Sequence, residues 1–207
     1  MIKKLLLLFL VFALISCKTN TYIFVDSKTP YSVDFSNGKW LLNEIDCPTD
    51  NKDPLTTQTI DFFSKKVGQR FSYIKNEKGL LIAQKSYFQA TKSVLKDLKK
   101  GTDFDYLLNI VAKKNRSDMA GLQLYQKEVP GTNESEVFLE IVDLNTQEVI
   151  FSEHVIGKFQ KNTQKSIWDD PNTKKSTNVI DNININKTSN TLLIGCLGKI
   201  LDKLGKT

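Results

Sequence analysis

The chain of 207 residues contains one histidine and three cysteines, so few side chains are available for nucleophilic or metal chemistry. His154 would need a nearby nucleophile and an orienting group to act as a general base. It stands between Glu153 and Val155 on a predicted strand, and we interpret it as a solvated strand residue. We expect no metal cluster of His and Cys ligands and no cofactor.

Acidic residues occur in three pairs, which are Asp103 and Asp105, Glu134 and Glu136, and Asp169 and Asp170. Paired carboxylates act as acid and base in glycoside hydrolysis, which would suit an enzyme that faces a cell wall. Each pair lies at a predicted turn or loop, where acidic residues are common. We therefore interpret the pairs as turn residues and predict that the protein is not an enzyme.

Trp168 lies in a polar stretch and is followed by Asp169-Asp170-Pro171. An isolated tryptophan of this kind can anchor a protein partner or stack on a sugar ring. The Trp168 side chain can equally pack at the edge of the hydrophobic core. The sequence contains no Gly-rich phosphate loop, nucleophile elbow or Cys/His metal spacing that would assign a known chemistry.

The first sixteen residues are typical of an export signal. Two lysines precede the eleven apolar residues Leu5 to Ile15, a run shorter than the roughly 20 residues that a membrane-spanning helix needs. The run ends in Leu14-Ile15-Ser16-Cys17, which resembles the lipobox of bacterial lipoproteins. In that family the cysteine thiol receives a diacylglyceryl group and becomes the new N-terminus. The resemblance implies lipidation at Cys17 and removal of residues 1–16.

Removal of residues 1–16 would leave 191 residues, with 27 basic and 23 acidic side chains. Acyl chains hold a protein on a bilayer because each buried CH₂ contributes about 0.8 kcal/mol. For an exported protein a small positive charge suits anionic lipids or acidic wall polymers, or is an ordinary lysine-rich surface, and we expect no nucleic-acid partner. Lys18 replaces the aspartate that retains enteric lipoproteins in the inner membrane, so that likeness favours the outer membrane of a Gram-negative cell envelope.

Two cysteines, Cys47 and Cys196, remain in the exported chain. An oxidising compartment allows a disulfide that ties the end of the first strand to the last helix. Closing so large a loop would contribute about 4–5 kcal/mol in the chain-entropy picture. The alternative is that Cys196 is a small buried residue of its helix and Cys47 a free loop thiol.

Apolar periodicity predicts helices over residues 54–70, 86–100 and 190–205. It predicts strands over residues 39–45, 71–74, 80–84, 104–112, 121–129, 137–142 and 149–155, with short extended pieces at 22–25 and 180–185. Residues 113–119 are predicted as a polar loop, and residues 158–190 as a long loop or insert. The last helix carries a continuous apolar stripe, which we interpret as core: Leu193, Cys196, Leu197, Ile200, Leu201 and Leu204.

This order of strand, helix, strand, helix, strands and helix predicts a single α/β (α+β) domain. A mixed sheet with about three helices packed mainly on one face would bury all the apolar stripes. We assign residues 1–16 to the signal peptide and 17–37 to the lipidated N-terminus and tether. Residues 38–207 form the domain, with the insert at 158–190.

Two segments carry a family resemblance. Gly101-Thr102-Asp103-Phe104-Asp105-Tyr106 leads from a predicted helix into a central strand, and residues 139–152 (LEIVDLNTQEVIFS) form a predicted hairpin. Both are similar to the α/β periplasmic domain of the curli-secretion lipoprotein, the lipoprotein activators of penicillin-binding proteins and the N-terminal domain of TolB. Gln147 stands where the family's hairpin usually has glycine. The resemblance covers residues 39–204 and implies a fold more than an activity.

These observations predict a non-enzymatic envelope lipoprotein that binds a protein partner as a regulator or assembly factor. The membrane would be reached through lipidated Cys17. One alternative is an oligomeric secretion or pore subunit. Another is a lipoprotein that binds wall glycan or a small ligand through Trp168.

Overall fold

The computed structural model describes residues 20–25, 33–77, 88–124, 131–161 and 183–206. These ranges contain eight strands and three α-helices. The strands are β1 (Thr21–Val25), β2 (Trp40–Leu42), β3 (Phe71–Tyr73), β4 (Tyr106–Ser117), β5 (Leu122–Leu124), β6 (Gly131–Asp143), β7 (Glu148–Lys161) and β8 (Ile183–Ile185). The helices are α1 (Lys52–Val67), α2 (Lys92–Gly101) and α3 (Ser189–Leu204).

Six of the strands form one open sheet in the order β1-β7-β6-β4-β2-β3. Strand β2 runs parallel to both β3 and β4, whereas the other neighbouring pairs are antiparallel. Strands β5 and β8 form a separate antiparallel pair. The mixed sheet and the α/β class predicted from the sequence are therefore confirmed.

The sheet is covered on both faces, but unequally. Helices α1 and α3 lie on the face that carries Trp40, Leu42 and Leu108, and together they enclose the larger core. Neighbouring strand residues point to opposite faces. Leu41 accordingly packs on the other face, against Leu95 and Leu98 of α2. The predicted packing mainly on one face is confirmed, with α2 alone on the second face among the described helices.

Strand β4 continues well beyond the predicted residue 112. The expected polar loop at 113–119 is wrong, because residues as far as Ser117 pair with β6. In this register Lys113 faces Glu136 and Arg116 faces Glu134. Opposite charges directly across a strand pair are favourable, and the backbone ladder needs no apolar side chains. Charged residues thus form a strand where the sequence pattern suggested a loop.

The β6–β7 hairpin is confirmed and is longer than predicted at both ends. Strand β7 continues to Lys161, so the first residues of the predicted 158–190 loop belong to the sheet. At the turn Gln147 has φ +57°, the left-handed conformation that favours glycine. Its side chain donates hydrogen bonds of 2.8 Å to the carbonyl oxygens of Leu144 and Asn145. These bonds stabilise the turn at the position where the similar family has glycine.

One helix start differs from the sequence pattern, and two short strands correspond to predicted extended segments. Helix α2 begins at Lys92, six residues later than predicted. Strand β1 corresponds to the extended piece predicted at 22–25, and it pairs with β7 at the edge of the main sheet although it lies in the segment assigned as a tether. Strand β5 lies within the predicted 121–129 strand, of which residues 125–129 are outside the described ranges, and it pairs with β8. The extended piece predicted at 80–84 lies outside the described residues. No helix in the described ranges is long and apolar enough to cross a bilayer.

Candidate functional site

Several of the predicted site residues lie outside the described ranges. These residues are Cys17, Trp168, Asp169 and Asp170. Lipidation at Cys17 and a partner or glycan contact at Trp168 therefore stay predictions. The other candidates, including His154 and both remaining cysteines, are placed by the structure.

His154 is half-buried within the sheet, so its interpretation as a solvated residue is wrong. Pairing of β6 with β7 places it opposite Phe138, and the two rings stack with their centroids 3.7 Å apart. Its Nε2 lies 3.2 Å from Oε2 of Glu136. The imidazole is thus held by a ring and a carboxylate across the same strand pair.

The two acidic pairs within the described ranges make structural contacts. The Asp105 carboxylate accepts hydrogen bonds from Lys99 Nζ at 2.8 Å and from the Lys39 backbone N–H at 2.9 Å. The Lys99 ammonium is the main reason that the pKa of Asp105 lies below its usual range. Glu134 pairs with Lys158 at 2.9 Å. Glu134 and Glu136 belong to β6, so their interpretation as turn residues is wrong, because the strand begins at Gly131.

The two cysteines are free thiols in the structure. Cys196 is buried on α3, with Sγ 3.7 Å from the carbonyl oxygen of Ser135. Burial raises the pKa of Cys196 to about 12. Cys47 is half-buried after β2, and burial also raises its pKa. This arrangement corresponds to the second of the two alternatives, while a Cys47–Cys196 disulfide stays a prediction for the exported protein.

A buried polar network lies on the α2 face of the sheet and was not predicted. Asn43 Nδ2 donates to Asn109 Oδ1 at 3.1 Å, and Asn109 Nδ2 donates to Glu140 Oε1 at 2.9 Å. The same Glu140 oxygen accepts from the backbone N–H of Gln89 at 3.0 Å. Burial raises the pKa of Glu140 above its usual range. The signal in the sequence was a carboxylate between apolar residues in Val-Phe-Leu-Glu-Ile-Val.

The outer surface of the two long helices contains a groove, which we call the α1–α3 groove. Its volume is about 330 Å³. The lining residues are Gln58, Asp61, Phe62, Lys65 and Lys66 of α1, and Gly198, Leu201 and Asp202 of α3. Gly198 leaves room between the helices, since a Cβ there would lie 3.2 Å from Gln58 Nε2.

The groove combines an aromatic ring with charges of both signs. Phe63 is fully buried, whereas its neighbour Phe62 is only half-buried and lines the groove. Consecutive residues of a helix diverge by about 100°, so two adjacent phenylalanines cannot both face the core. Lys66 lies over the Phe62 ring, with Nζ 6.0 Å from its centroid. The adjacent phenylalanines were the sequence signal for this surface.

No protein-family model matches the chain. No curated protein matches it either.

Several solved structures are similar to this chain. A PelC dodecamer from Paraburkholderia phytofirmans has 10% identity and a TM-score of 0.44, over 90% of this chain and 97% of the other. Lipoprotein GNA1162 from Neisseria meningitidis has 11% identity and a TM-score of 0.44, over 82% and 96%. The LpoB C-terminal domain from Salmonella enterica has 14% identity and a TM-score of 0.37, over 60% and 83%. Values this low give no basis for transferring an activity or an assembly.

Proposed function

We propose that this protein is a non-enzymatic lipoprotein of the bacterial cell envelope that binds a protein partner through the α1–α3 groove. Its role would be that of a regulator or assembly factor, anchored through lipidated Cys17. The observation that carries the partner-binding proposal is the partly exposed Phe62 ring in a groove between two well-packed helices.

The groove suits a peptide segment with one apolar side chain between charged ones. Phe62 and Leu201 supply apolar surface, and the rim carries two lysines and two aspartates. Buried aromatic or aliphatic anchors supply most of the affinity of protein interfaces, and a polar rim surrounds them. A partner residue such as Leu or Met, flanked by one acidic and one basic residue, would match this arrangement.

The contacts of the candidate catalytic groups support a structural role for them. The His154 ring is stacked on Phe138 and lies beside Glu136. Asp105 joins the Lys99 side chain to the backbone at Lys39. A general acid or base must be free to exchange a proton with a substrate. These side chains instead join strands and helix ends to one another.

Site-specific photocrosslinking in cells tests the groove. A photoreactive residue at Asp61 should crosslink one dominant envelope protein, whereas the same residue at Asp97 should not. Asp61 is exposed in the groove, and Asp97 is exposed on α2 at the opposite face of the sheet. Equal crosslinking at both positions, or crosslinks only between copies of this chain, would contradict the proposal.

The anchor is tested by replacing the acceptor thiol. Cys17→Ala should release the protein from the membrane fraction, because residue 17 would no longer have a thiol to carry the diacylglyceryl group. Cys47→Ala is the matched control and should leave fractionation unchanged. Flotation of each variant with vesicles, and the mass of the mature N-terminus, provide the measurement. A Cys17→Ala protein that still floats would disprove the lipoprotein assignment.

Lys18 supports the outer membrane as the proposed destination of the anchored protein. Separation of inner and outer membranes on a density gradient, followed by detection of the protein, tests this placement. Recovery in the inner membrane would contradict it without affecting the lipidation assignment.

A further inference from the structure

Strand β1 begins very close to the proposed anchor. Thr21 is four positions after Cys17, and an extended chain spans at most about 3.5 Å per residue. The start of β1 therefore lies within about 14 Å of the acylated residue. If Cys17 is anchored in a bilayer, β1 therefore begins close to the lipid headgroups.

Strand β1 is also an edge strand of its sheet. Within the described residues it pairs only with β7, so its other side is an open backbone edge. Ile23 is 45% exposed and Phe24 is 39% exposed. Side chains alternate along a strand, so these two apolar residues flank the open edge from opposite faces.

A basic flank of α3 lies beside this edge. Tyr22 of β1 packs against Gly195 of α3, where a Cβ would lie 2.0 Å from the tyrosine oxygen. Two helical turns further on, Lys203 Nζ lies 4.9 Å from the Phe24 ring centroid. Lys199 lies between these positions on the same side of the helix and is exposed. Lys203 Nζ also pairs with Glu153 Oε1 at 2.6 Å, and Lys199 is placed to meet anionic lipid headgroups.

We propose that the edge of β1 rests on the phospholipid surface, with Ile23 and Phe24 in the interfacial region and Lys199 among the headgroups. This inference rests on the proposed lipidation of Cys17. The open N–H and C=O groups of β1 require water or headgroup partners, so the strand lies in the interface and not in the hydrocarbon.

This placement has a consequence for the α1–α3 groove. One flank of α3 contacts β1, and the flank that carries Gly198 and Leu201 faces α1. A domain that rests on β1 therefore presents the groove on the other side of α3, away from the contact with lipid. The groove stays open to a partner while the protein is bound to the membrane.

Fluorescence of the acylated full-length protein in vesicles tests the proposal. An environment-sensitive maleimide dye would be attached at Ile23→Cys, in vesicles of phosphatidylethanolamine and phosphatidylglycerol. Val149→Cys is the matched control, because Val149 is 50% exposed and stands at the β6–β7 turn. Cys47→Ser removes a competing thiol, while burial and a pKa of about 12 protect Cys196 from labelling.

The dye at residue 23 should shift its emission to the blue and be quenched by lipids that carry a nitroxide. The dye at residue 149 should show neither effect. Equal, water-like emission from both sites in acylated, vesicle-bound protein would overturn the lipid contact but leave the lipoprotein assignment intact. A blue shift without quenching would also overturn it and indicate strand pairing with a second copy. Absence of acylation at Cys17 would instead disprove the proposed function, and the inference with it.

Discussion

At the scale of single residues, Glu140 is a carboxyl group buried in the sheet. It is 2% exposed, and its contacts with Asn109 and Gln89 offset only part of the cost of burying a charge. A carboxyl with a raised pKa binds its proton more tightly in the folded protein than in the unfolded chain. The contribution of Glu140 to the free energy of unfolding therefore falls as pH rises above the ordinary pKa of glutamate, about 4.3.

Glu140→Gln should make the protein more stable at pH 7 than the wild type and should remove this part of the pH dependence. The glutamine oxygen can still accept both hydrogen bonds, but it carries no charge. The free energy of unfolding in urea, measured from pH 4 to pH 7, should show a gap between variant and wild type that widens with pH. A gap that stays constant would show that Glu140 does not titrate differently on folding.

Glu134→Gln is the control, and its effect on stability should change with pH in the opposite direction. The Lys158 ammonium lowers the pKa of Glu134, so this carboxylate stabilises the fold above the unfolded pKa and loses that effect as pH falls. Its variant should lose stability relative to the wild type as pH rises. Glu134 and Glu140 lie on the same strand, so a difference between the two variants reports the different surroundings of the two carboxyl groups.

At the scale of elements, two glycines of α3 separate the roles of its two flanks. Gly195 faces Tyr22 of β1, while Gly198 faces Gln58 of α1 across the groove. An alanine at Gly195 would displace the tyrosine side chain, since its oxygen and two ring carbons would lie within 3 Å of the new Cβ. At Gly198 the nearest atom belongs to a flexible side chain at 3.2 Å.

Gly195→Ala should destabilise the protein by about 1 kcal/mol, because overpacking outweighs the gain in helix propensity. Gly198→Ala should be neutral or stabilising by up to about 1 kcal/mol. Hydrogen exchange of the β1 amides should become faster in the first variant alone. Unchanged protection of β1 in Gly195→Ala would show that Tyr22 does not hold the strand against α3.

At the scale of the whole molecule, the two ends of the described chain pack together. Tyr22 lies over Gly157 of β7 and Gly195 of α3, beside the buried Cys196. Val33, also before the predicted domain boundary at residue 38, is 6% exposed and belongs to the main core. The segment assigned from sequence as a tether thus contributes core residues.

A chain that begins at Gly38 should be less stable than one that begins at Lys18 by about 2 kcal/mol or more, since burial of Val33 and Tyr22 is lost. In a Cys47→Ser background Cys196 should also be alkylated faster in the shorter chain. Tyr22→Ala in the longer chain should reproduce part of that faster alkylation. Equal stability and equal alkylation would support a boundary at residue 38.

Many elements could be predicted because their signals are local. The stripe from Leu193 to Leu204 has helical spacing, and all its members are buried in α3. The alternating residues around the Asn145 turn predicted the β6–β7 hairpin. The apolar run from Phe104 to Ala112 predicted the inner strand β4. In each case one segment alone contains the pattern that its burial requires.

The end of β4 and the α1–α3 groove depend on contacts between distant segments. Residues 113–117 are polar, and only the partner strand β6 makes them part of the sheet. Phe62 and Gly198 are 136 positions apart, so the groove exists only after α1 and α3 pack side by side. A sequence pattern reports which side of an element is apolar, but not which other element will cover it.

The sequence by itself determined the α/β class, the order of the elements and the expectation of a lipid anchor at Cys17. Hydrophobic periodicity and the lipobox are patterns of neighbouring residues, so they can be recognised without the tertiary structure. Only the tertiary structure decided that β1 joins the sheet, that α2 covers the opposite face and that Glu140 is buried. These features arise because pairing and packing bring together residues that are far apart in the chain, where local periodicity carries no information.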